Sequence, residues 1–197
     1  MPVSSEIELC NKALMEIGVD PLSSMEDNSK AGRAIRNLYP SVRDRILCAD
    51  GIQWEFAIAR SVPTPTLEAN MTEFEHQYSV SFDPPMLKLL AILEHDTKHE
   101  IKGIPFKIEN NILYCNLSNP ILVYVFQQTN VKTYSEPFID CVRFALAYDL
   151  SYYMTGTKPQ DLLVKADMAL SRAAKQTARH SKTRLSASKS WVTARYE

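Results

Sequence analysis

Glycine is scarce in this sequence, with only five among 197 residues. Loops that approach a substrate closely tend to need glycine, because it has no Cβ and tolerates backbone conformations that other residues avoid. The scarcity therefore favours a structural role for the protein over an enzymatic one.

A long apolar run is also missing. The longest, Met86–Leu93, contains Lys88 and is far shorter than the roughly 20 residues that span a bilayer. The N-terminal stretch has acidic residues where a signal peptide has basic ones, and its apolar residues are interrupted. We therefore expect neither a membrane segment nor secretion through a signal peptide.

Closely spaced cysteine pairs are absent as well. The four cysteines, Cys10, Cys48, Cys115 and Cys141, are scattered and have apolar neighbours. Structural zinc sites need ligand pairs at short spacing, and buried free cysteine behaves as a small apolar residue. The pattern predicts reduced thiols in the core of a cytosolically assembled protein, without a metal.

Two short motifs with possible chemistry favour ordinary turns. Gly156-Thr157-Lys158 resembles the end of a phosphate-binding loop, but the glycine that should stand five residues earlier is missing. His95 and His99 are four residues apart, a spacing that can hold a metal on a helix, yet they lie between two predicted strands. We predict no catalytic residue, no cofactor and no metal site.

The apolar spacing changes twice along the chain and predicts its organisation. Residues 1–60 have helical periodicity, 61–75 form a proline-containing connecting loop, and 76–130 alternate with a period of two, as short strands do. Residues 131–178 return to helical spacing and should pack on the N-terminal part. The predicted fold is α+β, a bundle of about four to five helices with an inserted antiparallel β meander and an extended C-terminal tail.

Aromatic residues mark the predicted core and one surface. Trp54, Phe56 and Phe138 are expected to anchor the helical core, since each falls on an apolar face. A second aromatic set repeats at helical spacing, which favours a packing face or subunit contact over a ligand-binding platform. Its members are Phe144, Tyr148, Tyr152 and Tyr153.

The C-terminal segment is strongly basic. From Arg172 onward the sequence has seven Lys or Arg residues and a single acid, Glu197. Apolar periodicity is lost after Ala178, so residues 179–197 are predicted to be an extended basic tail that orders on a partner. The residues of this segment predicted to contact a partner protein or neighbouring subunits are Arg179, Lys182, Arg184, Leu185, Lys189, Trp191, Val192, Arg195 and Tyr196.

The stretch from Leu9 through Ala59 resembles the opening of phage tail tubular proteins of the A type, also called head-to-tail adaptors. The matching elements, in family order, are Ile17-Gly18, Pro21-Leu22, Tyr39, Arg43-Asp44 and Trp54-Glu55-Phe56-Ala57. The resemblance continues in Tyr78–Leu90, in Ile108–Tyr114 and in Phe138–Tyr153, and so covers most of the chain.

The resemblance implies a structural virion protein of a short-tailed bacteriophage. Such a protein forms a ring of twelve copies between the portal protein and the tail nozzle protein. Packaged DNA passes through the lumen without sequence-specific contacts. The implied location is the tail at the portal vertex, after assembly in the host cytoplasm, with no membrane partner.

Two other functions remain open at this stage. The basic C-terminal tail could belong to a DNA-binding protein, whose affinity would fall steeply with salt. The chain could also be a virion-associated hydrolase that cleaves cell wall, although the sequence offers no recognisable pair of catalytic carboxylates. A muralytic assay distinguishes the hydrolase from the other two functions.

Overall fold

The computed structural model describes residues 4–66, 72–94 and 105–193, with side chains described as far as residue 178. The chain divides into two compact units. Residues 57–128 form one of them, which we call the β unit. The sequence on either side of it, up to Phe56 and from Thr129 onward, forms the other, the helical unit.

Four α-helices make up the described part of the helical unit. They are α1 (Glu6–Glu16), α2 (Lys30–Leu47), α3 (Glu136–Thr155) and α4 (Gln160–Thr193). Helix α3 packs against each of the other three, and this explains why apolar side chains are buried around most of its circumference. The N-terminal and C-terminal helices therefore share one core.

Helix ends follow local signals that the sequence shows directly. The Ser5 hydroxyl accepts a hydrogen bond from the Glu8 amide at 3.4 Å and caps α1, while the Glu8 carboxylate accepts one from the Ser4 amide. Gly156, at a φ of 76°, ends α3 in the left-handed conformation that favours glycine. Both helix ends are therefore set by residues that are close to them in sequence.

Helix α2 runs through Pro40 as one continuous element. The proline removes one intrahelical hydrogen bond. Apolar residues are buried on both sides of it, Ile35 before and Val42 and Ile46 after. Their burial holds the two halves of the helix to the same core.

Seven strands are described in the β unit, all paired antiparallel. They are β1 (Ile58–Ser61), β2 (Thr64–Pro65), β3 (His76–Ser79), β4 (Met86–Glu94), β5 (Phe106–Glu109), β6 (Ile112–Cys115) and β7 (Pro120–Phe126). They form a three-stranded sheet of order β1-β7-β4 and a four-stranded sheet of order β2-β3-β6-β5. The α+β class is confirmed, but the strand order is not that of a simple meander.

Two strands occupy the region that the sequence predicted as a connecting loop. In β1, Ser61 pairs with Leu122, and in β2, Pro65 pairs with Tyr78. Proline is tolerated in β2 because this strand lies at the edge of its sheet, where one side needs no backbone donor. The proline content therefore led to a predicted loop that is longer than the one in the structure.

A tight two-residue turn joins β5 to β6. Asn110 and Asn111 have φ angles of 47° and 61°, and Glu109 pairs directly with Ile112 across the two-residue turn. The two sheets share an apolar core that includes Tyr78, whose hydroxyl donates to the Leu117 carbonyl at 2.6 Å.

Helix α4 continues to Thr193, whereas the sequence predicted an extended tail from residue 179. Residues 171–193 contain neither glycine nor proline and are rich in good helix formers such as Ala, Lys and Arg. Apolar periodicity indicates that one face of a helix is buried, but a helix does not need a buried face to continue. The loss of this periodicity after Ala178 therefore does not mark the end of the helix. The prediction of an extended backbone was wrong for residues 179–193.

Trp54 lies between α2 and α3 and contacts both helices. Only 6% of it is exposed, and its indole Nε1 donates a hydrogen bond to the Ile46 carbonyl at 2.8 Å. Its ring meets that of the fully buried Phe138 edge to face, with 5.0 Å between ring centroids. Phe56 is half-buried beside them.

Replacing Trp54 with alanine should lower the free energy of unfolding of the helical unit by about 3–5 kcal/mol, because a large buried ring leaves a cavity. Trp54→Phe should cost less, since it keeps the ring contact and loses only the hydrogen bond to Ile46. Urea denaturation followed by far-ultraviolet circular dichroism measures both. Val62→Ser, at a side chain that is 64% exposed, is the control. An unchanged midpoint for Trp54→Ala would contradict the packing described.

Candidate functional site

Residues of the resemblance motif in α2 form a buried polar contact. Arg43, only 5% exposed, donates from Nε to the Asp44 carboxylate at 2.8 Å, and its guanidinium lies 5.9 Å from the centre of the Tyr39 ring. Burial disfavours the charged guanidinium, but the hydrogen bond and charge of Asp44 outweigh it and raise the pKa of Arg43. These contacts hold the Arg43 side chain against α2, and its burial leaves the guanidinium little access to a ligand.

The predicted core anchors meet in one aromatic cluster, formed by Trp54, Phe56, Tyr134 and Phe138. Phe138 lies at its centre, with ring centroids 5.0 Å from Trp54, 5.2 Å from Phe56 and 4.7 Å from Tyr134, all edge to face. Burial raises the pKa of Tyr134 to about 12, which keeps its hydroxyl neutral. The cluster joins the chain just before the β unit to the chain just after it.

An open groove of about 180 Å³ lies beside this aromatic cluster. Trp54, Phe56, Pro137 and Ala173 give it an apolar lining. Its polar lining groups are the two amides of Gln53 and Gln176, the Glu55 carboxylate, and the hydroxyls of Ser135 and Thr177. Glu55 is its only charged side chain, so the groove holds no pair of carboxylates.

Among the side chains that the structure describes, no group of three His, Cys, Asp or Glu residues is placed to hold a metal ion. His95 and His99 lie outside the described residues. His76 lies on β3 with its ring 6.2 Å from that of Tyr78. Gly156 ends a helix, as the turn interpretation of its motif predicted.

All four cysteines are free thiols. Cys10, Cys115 and Cys141 are buried, whereas Cys48 is partly exposed. Burial raises the pKa of Cys10 and of Cys141 to about 12. Because the thiolate is the reactive form, these two side chains are poor nucleophiles near neutral pH.

The described surface of α3 carries three aromatic side chains one helical turn apart, Phe144, Tyr148 and Tyr152, which we call the aromatic stripe. Tyr152 is 62% exposed, and the other two are half-buried. The sequence left open whether this set is a packing face or a subunit contact. The exposure of Tyr152 favours a contact surface.

Cations from three segments lie over the aromatic stripe. Arg143 lies 4.3 Å and Lys165 5.9 Å from the centre of the Phe144 ring, and Lys158 lies 5.3 Å from that of Tyr148. Lys158 is also 5.8 Å from the Tyr152 ring. These distances permit cation–π attraction, which holds the cations against the ring faces.

Acidic groups complete the rim of the stripe. The Glu16 carboxylate at the end of α1 lies 3.4 Å from the Lys165 ammonium and 3.7 Å from the Arg143 guanidinium. Arg143 also pairs with Asp140 at 3.2 Å, and Lys165 lies 3.9 Å from Asp161. Arg143 and Lys165 are therefore neutralised within the helical unit, and their ion pairs link α1, α3 and α4.

Sequence reasoning found the aromatic stripe but missed the charged groups around it. Arg143 adjoins Phe144 in sequence, which is a weak signal, whereas Glu16 and Lys165 come from distant segments. Exposed apolar side chains on α4, Val164 and Met168, were also missed because single surface residues have no periodic signature. Tyrosine, methionine and arginine are enriched at protein interfaces, so the surface is suited to binding another protein.

The predicted C-terminal contact residues are spread around a helix. The backbone of α4 includes positions 179–192, whose side chains lie outside the described part, and Arg195 and Tyr196 lie outside it altogether. At about 100° per residue, positions 189 and 191 fall on nearly opposite sides of this helix. A single flat partner surface therefore cannot contact all of these positions at once.

Comparison with protein-family models and with curated proteins finds no match for this chain. Among the described residues, no helix has the length and apolar character needed to cross a membrane.

In the native protein, iodoacetamide at mildly alkaline pH should label Cys48 first, while Cys10 and Cys141 react only after unfolding. The reason is that burial both shields these two thiols and holds their pKa near 12. Peptide mass spectrometry after timed quenching gives the order of labelling. Rapid labelling of Cys10 in the folded protein would show that its environment is misassigned.

Proposed function

We propose that the protein is a structural virion protein, a head-to-tail adaptor that forms a ring between the portal and the tail nozzle of a short-tailed bacteriophage. The observation that carries this proposal is the aromatic stripe with its charged rim on the outside of the helical unit. The order of motifs from Leu9 to Tyr153, which resembles that of such adaptors, supports it.

A ring requires each subunit to bind its neighbour through two different surfaces, because head-to-tail contacts close only if one face meets another. We assign the aromatic stripe to one of these two surfaces. Tyr148 and Tyr152 offer large contact areas with few rotatable bonds and a polar end, which suits residues at the centre of an interface. The paired charges around them form the polar rim.

Assembly is the mechanism in this proposal, and no bond is made or broken. The ring closes the packaged head and presents a new surface to the nozzle protein. Duplex DNA passes through its lumen without sequence-specific contacts. The C-terminal segment contacts the portal, with Leu185 and Val192 as apolar anchors seven residues apart on one side of α4.

Replacing both Tyr148 and Tyr152 with serine should abolish closed rings, because the apolar area at the centre of the contact is lost. The protein is mixed with the portal protein of the same virus and viewed by negative-stain electron microscopy. Size-exclusion chromatography with light scattering gives the mass. Wild-type protein should form rings on the portal, and the variant should remain a folded subunit.

Two controls separate contact from folding. Tyr148→Phe with Tyr152→Phe keeps the ring area and should restore assembly, whereas Val62→Ser changes an equally exposed apolar residue of the β unit. Because the contact joins two different faces, adding the serine variant to wild-type subunits should yield short arcs. Normal rings from the serine variant would refute the assignment of the stripe.

Removing residues 179–197 should leave a soluble, folded subunit that no longer attaches to the portal. All the buried side chains that the structure describes in α4 precede this segment, and Ala173 is the last of them. Co-sedimentation with portal measures attachment, and a melting curve checks folding. If the truncated protein attached to the portal and formed rings at wild-type levels, the proposed contact between the C-terminal segment and the portal would be contradicted.

A further inference from the structure

The outward side of α4 carries cations that differ from those around the aromatic stripe. Arg172 and Lys175 are both exposed. Within the described residues, neither has an acidic side chain within ion-pair distance, whereas Arg143 and Lys165 each have two such partners. The positive charge is thus neutralised at one part of the helical unit and left unneutralised at another.

Helical spacing continues this charge along α4. Positions 172, 175, 179, 182 and 189 are separated by three, four, three and seven residues, so the helical backbone places them on one side. We call these five positions the basic row. The buried residues Leu162, Ala166, Ala169 and Ala173 occupy the opposite side of α4.

The other positions on the side of the basic row carry only hydroxyl groups. They are Thr183, Ser186, Ser190 and Thr193. From residue 172 to 193 this side therefore combines cations with hydroxyls and has neither an acid nor an apolar side chain. Every residue on it can donate a hydrogen bond to an anion.

The row also stands out against the charge of the rest of the chain. Residues 1–171 contain fifteen Lys or Arg against 22 Asp or Glu, whereas the remaining 26 residues contain seven cations and one acid. The net charge of −1 conceals this separation. Such an arrangement orients a polyanion toward the end of α4 before contact is made.

Much of the row extends past the helix beside it. Ser135 and Pro137 at the start of α3 line the same groove as Ala173, Gln176 and Thr177 of α4. The helix continues for sixteen residues beyond Thr177, or about 24 Å at 1.5 Å per residue. The neighbouring helix α3 therefore does not run alongside positions 179, 182 and 189.

We propose that the basic row binds duplex DNA through its phosphate groups, without reading base sequence. Phosphate contacts are made by Arg, Lys, Ser and Thr, the types found on this side of α4. The exposed residues Val164 and Met168 line one groove with Arg172 and Lys175, but the row itself consists of cations and hydroxyl residues. Protein interfaces draw most of their energy from buried aromatic and apolar residues, so an acidic protein surface is the less suitable partner of the row. That the basic row faces DNA inside the assembled ring rests on the proposed function.

The test measures binding of a short fluorescent duplex to the isolated, full-length subunit by anisotropy at several salt concentrations. The logarithm of the binding constant falls linearly with the logarithm of the salt concentration, and each phosphate contact contributes about −0.9 to the slope. Five contacts should therefore give a slope near −4.5. Arg172→Gln with Lys175→Gln should reduce the steepness by about 1.8. A duplex of scrambled sequence should bind equally well.

The matched control is Lys30→Gln with Lys132→Gln, which removes the same charge from exposed positions outside the row. This control should keep the wild-type slope. An unchanged slope for the row variant, an equal loss in the control, or no duplex binding at low salt would each overturn the inference. Loss of portal attachment by the row variant, with DNA binding intact, would assign the row to a protein partner and overturn it too.

The two proposals fail separately. A subunit that binds duplex through the row but never forms rings refutes the adaptor function and leaves the DNA contact standing. A subunit that forms rings on the portal, with no salt-dependent DNA binding, refutes the DNA contact alone.

Discussion

The helical unit depends on the packing of aromatic rings around Phe138. Trp54 and Phe56 precede the β unit in sequence, and Tyr134 and Phe138 follow it, so their contacts hold together two segments that the 72 intervening residues 57–128 separate. Closing so long a loop has an entropic cost that grows only slowly with loop length. A few large rings, of which Phe138 is fully buried and Trp54 and Tyr134 nearly so, can offset that cost. The insertion of a whole sheet between α2 and α3 is therefore compatible with one shared helical core.

Helix α3 links this core to the candidate contact surface. Its buried residues, such as Val142 and Leu146, pack against the other helices, while Phe144, Tyr148 and Tyr152 line its outer side. A contact surface on a rigid, centrally packed helix keeps its shape, so a partner meets it without a large ordering cost. The ion pairs of Glu16 with Arg143 and Lys165 are partly exposed and individually weak. Their main effect is to position cations over the rings.

Charge divides the helical unit into two kinds of surface. Around the stripe, each cation has an acidic or aromatic partner, which leaves a nearly neutral surface with a polar rim. Along the outer side of α4, Arg172 and Lys175 are exposed, have no ion pair among the described residues, and begin the basic row. The first surface suits contact with another protein, and the second suits a polyanion. One chain can thus supply both the subunit contacts and the DNA-facing wall of a channel, as the proposed adaptor requires.

Local chemistry explains what the sequence alone determined. Ser5 capped α1, Gly156 ended α3 and Asn110-Asn111 formed a tight hairpin, because each depends on a few neighbouring backbone groups. The aromatic spacing of α3 likewise identified the stripe. Tertiary structure decided the rest. Pro65 lies in an edge strand because it pairs with Tyr78, and Glu16 forms an ion pair with Lys165, 149 residues later in the sequence. Helix α4 continued past Ala178 although apolar periodicity ended there. Pairing partners and ion pairs depend on which distant segments meet, and neighbouring residues do not encode that information.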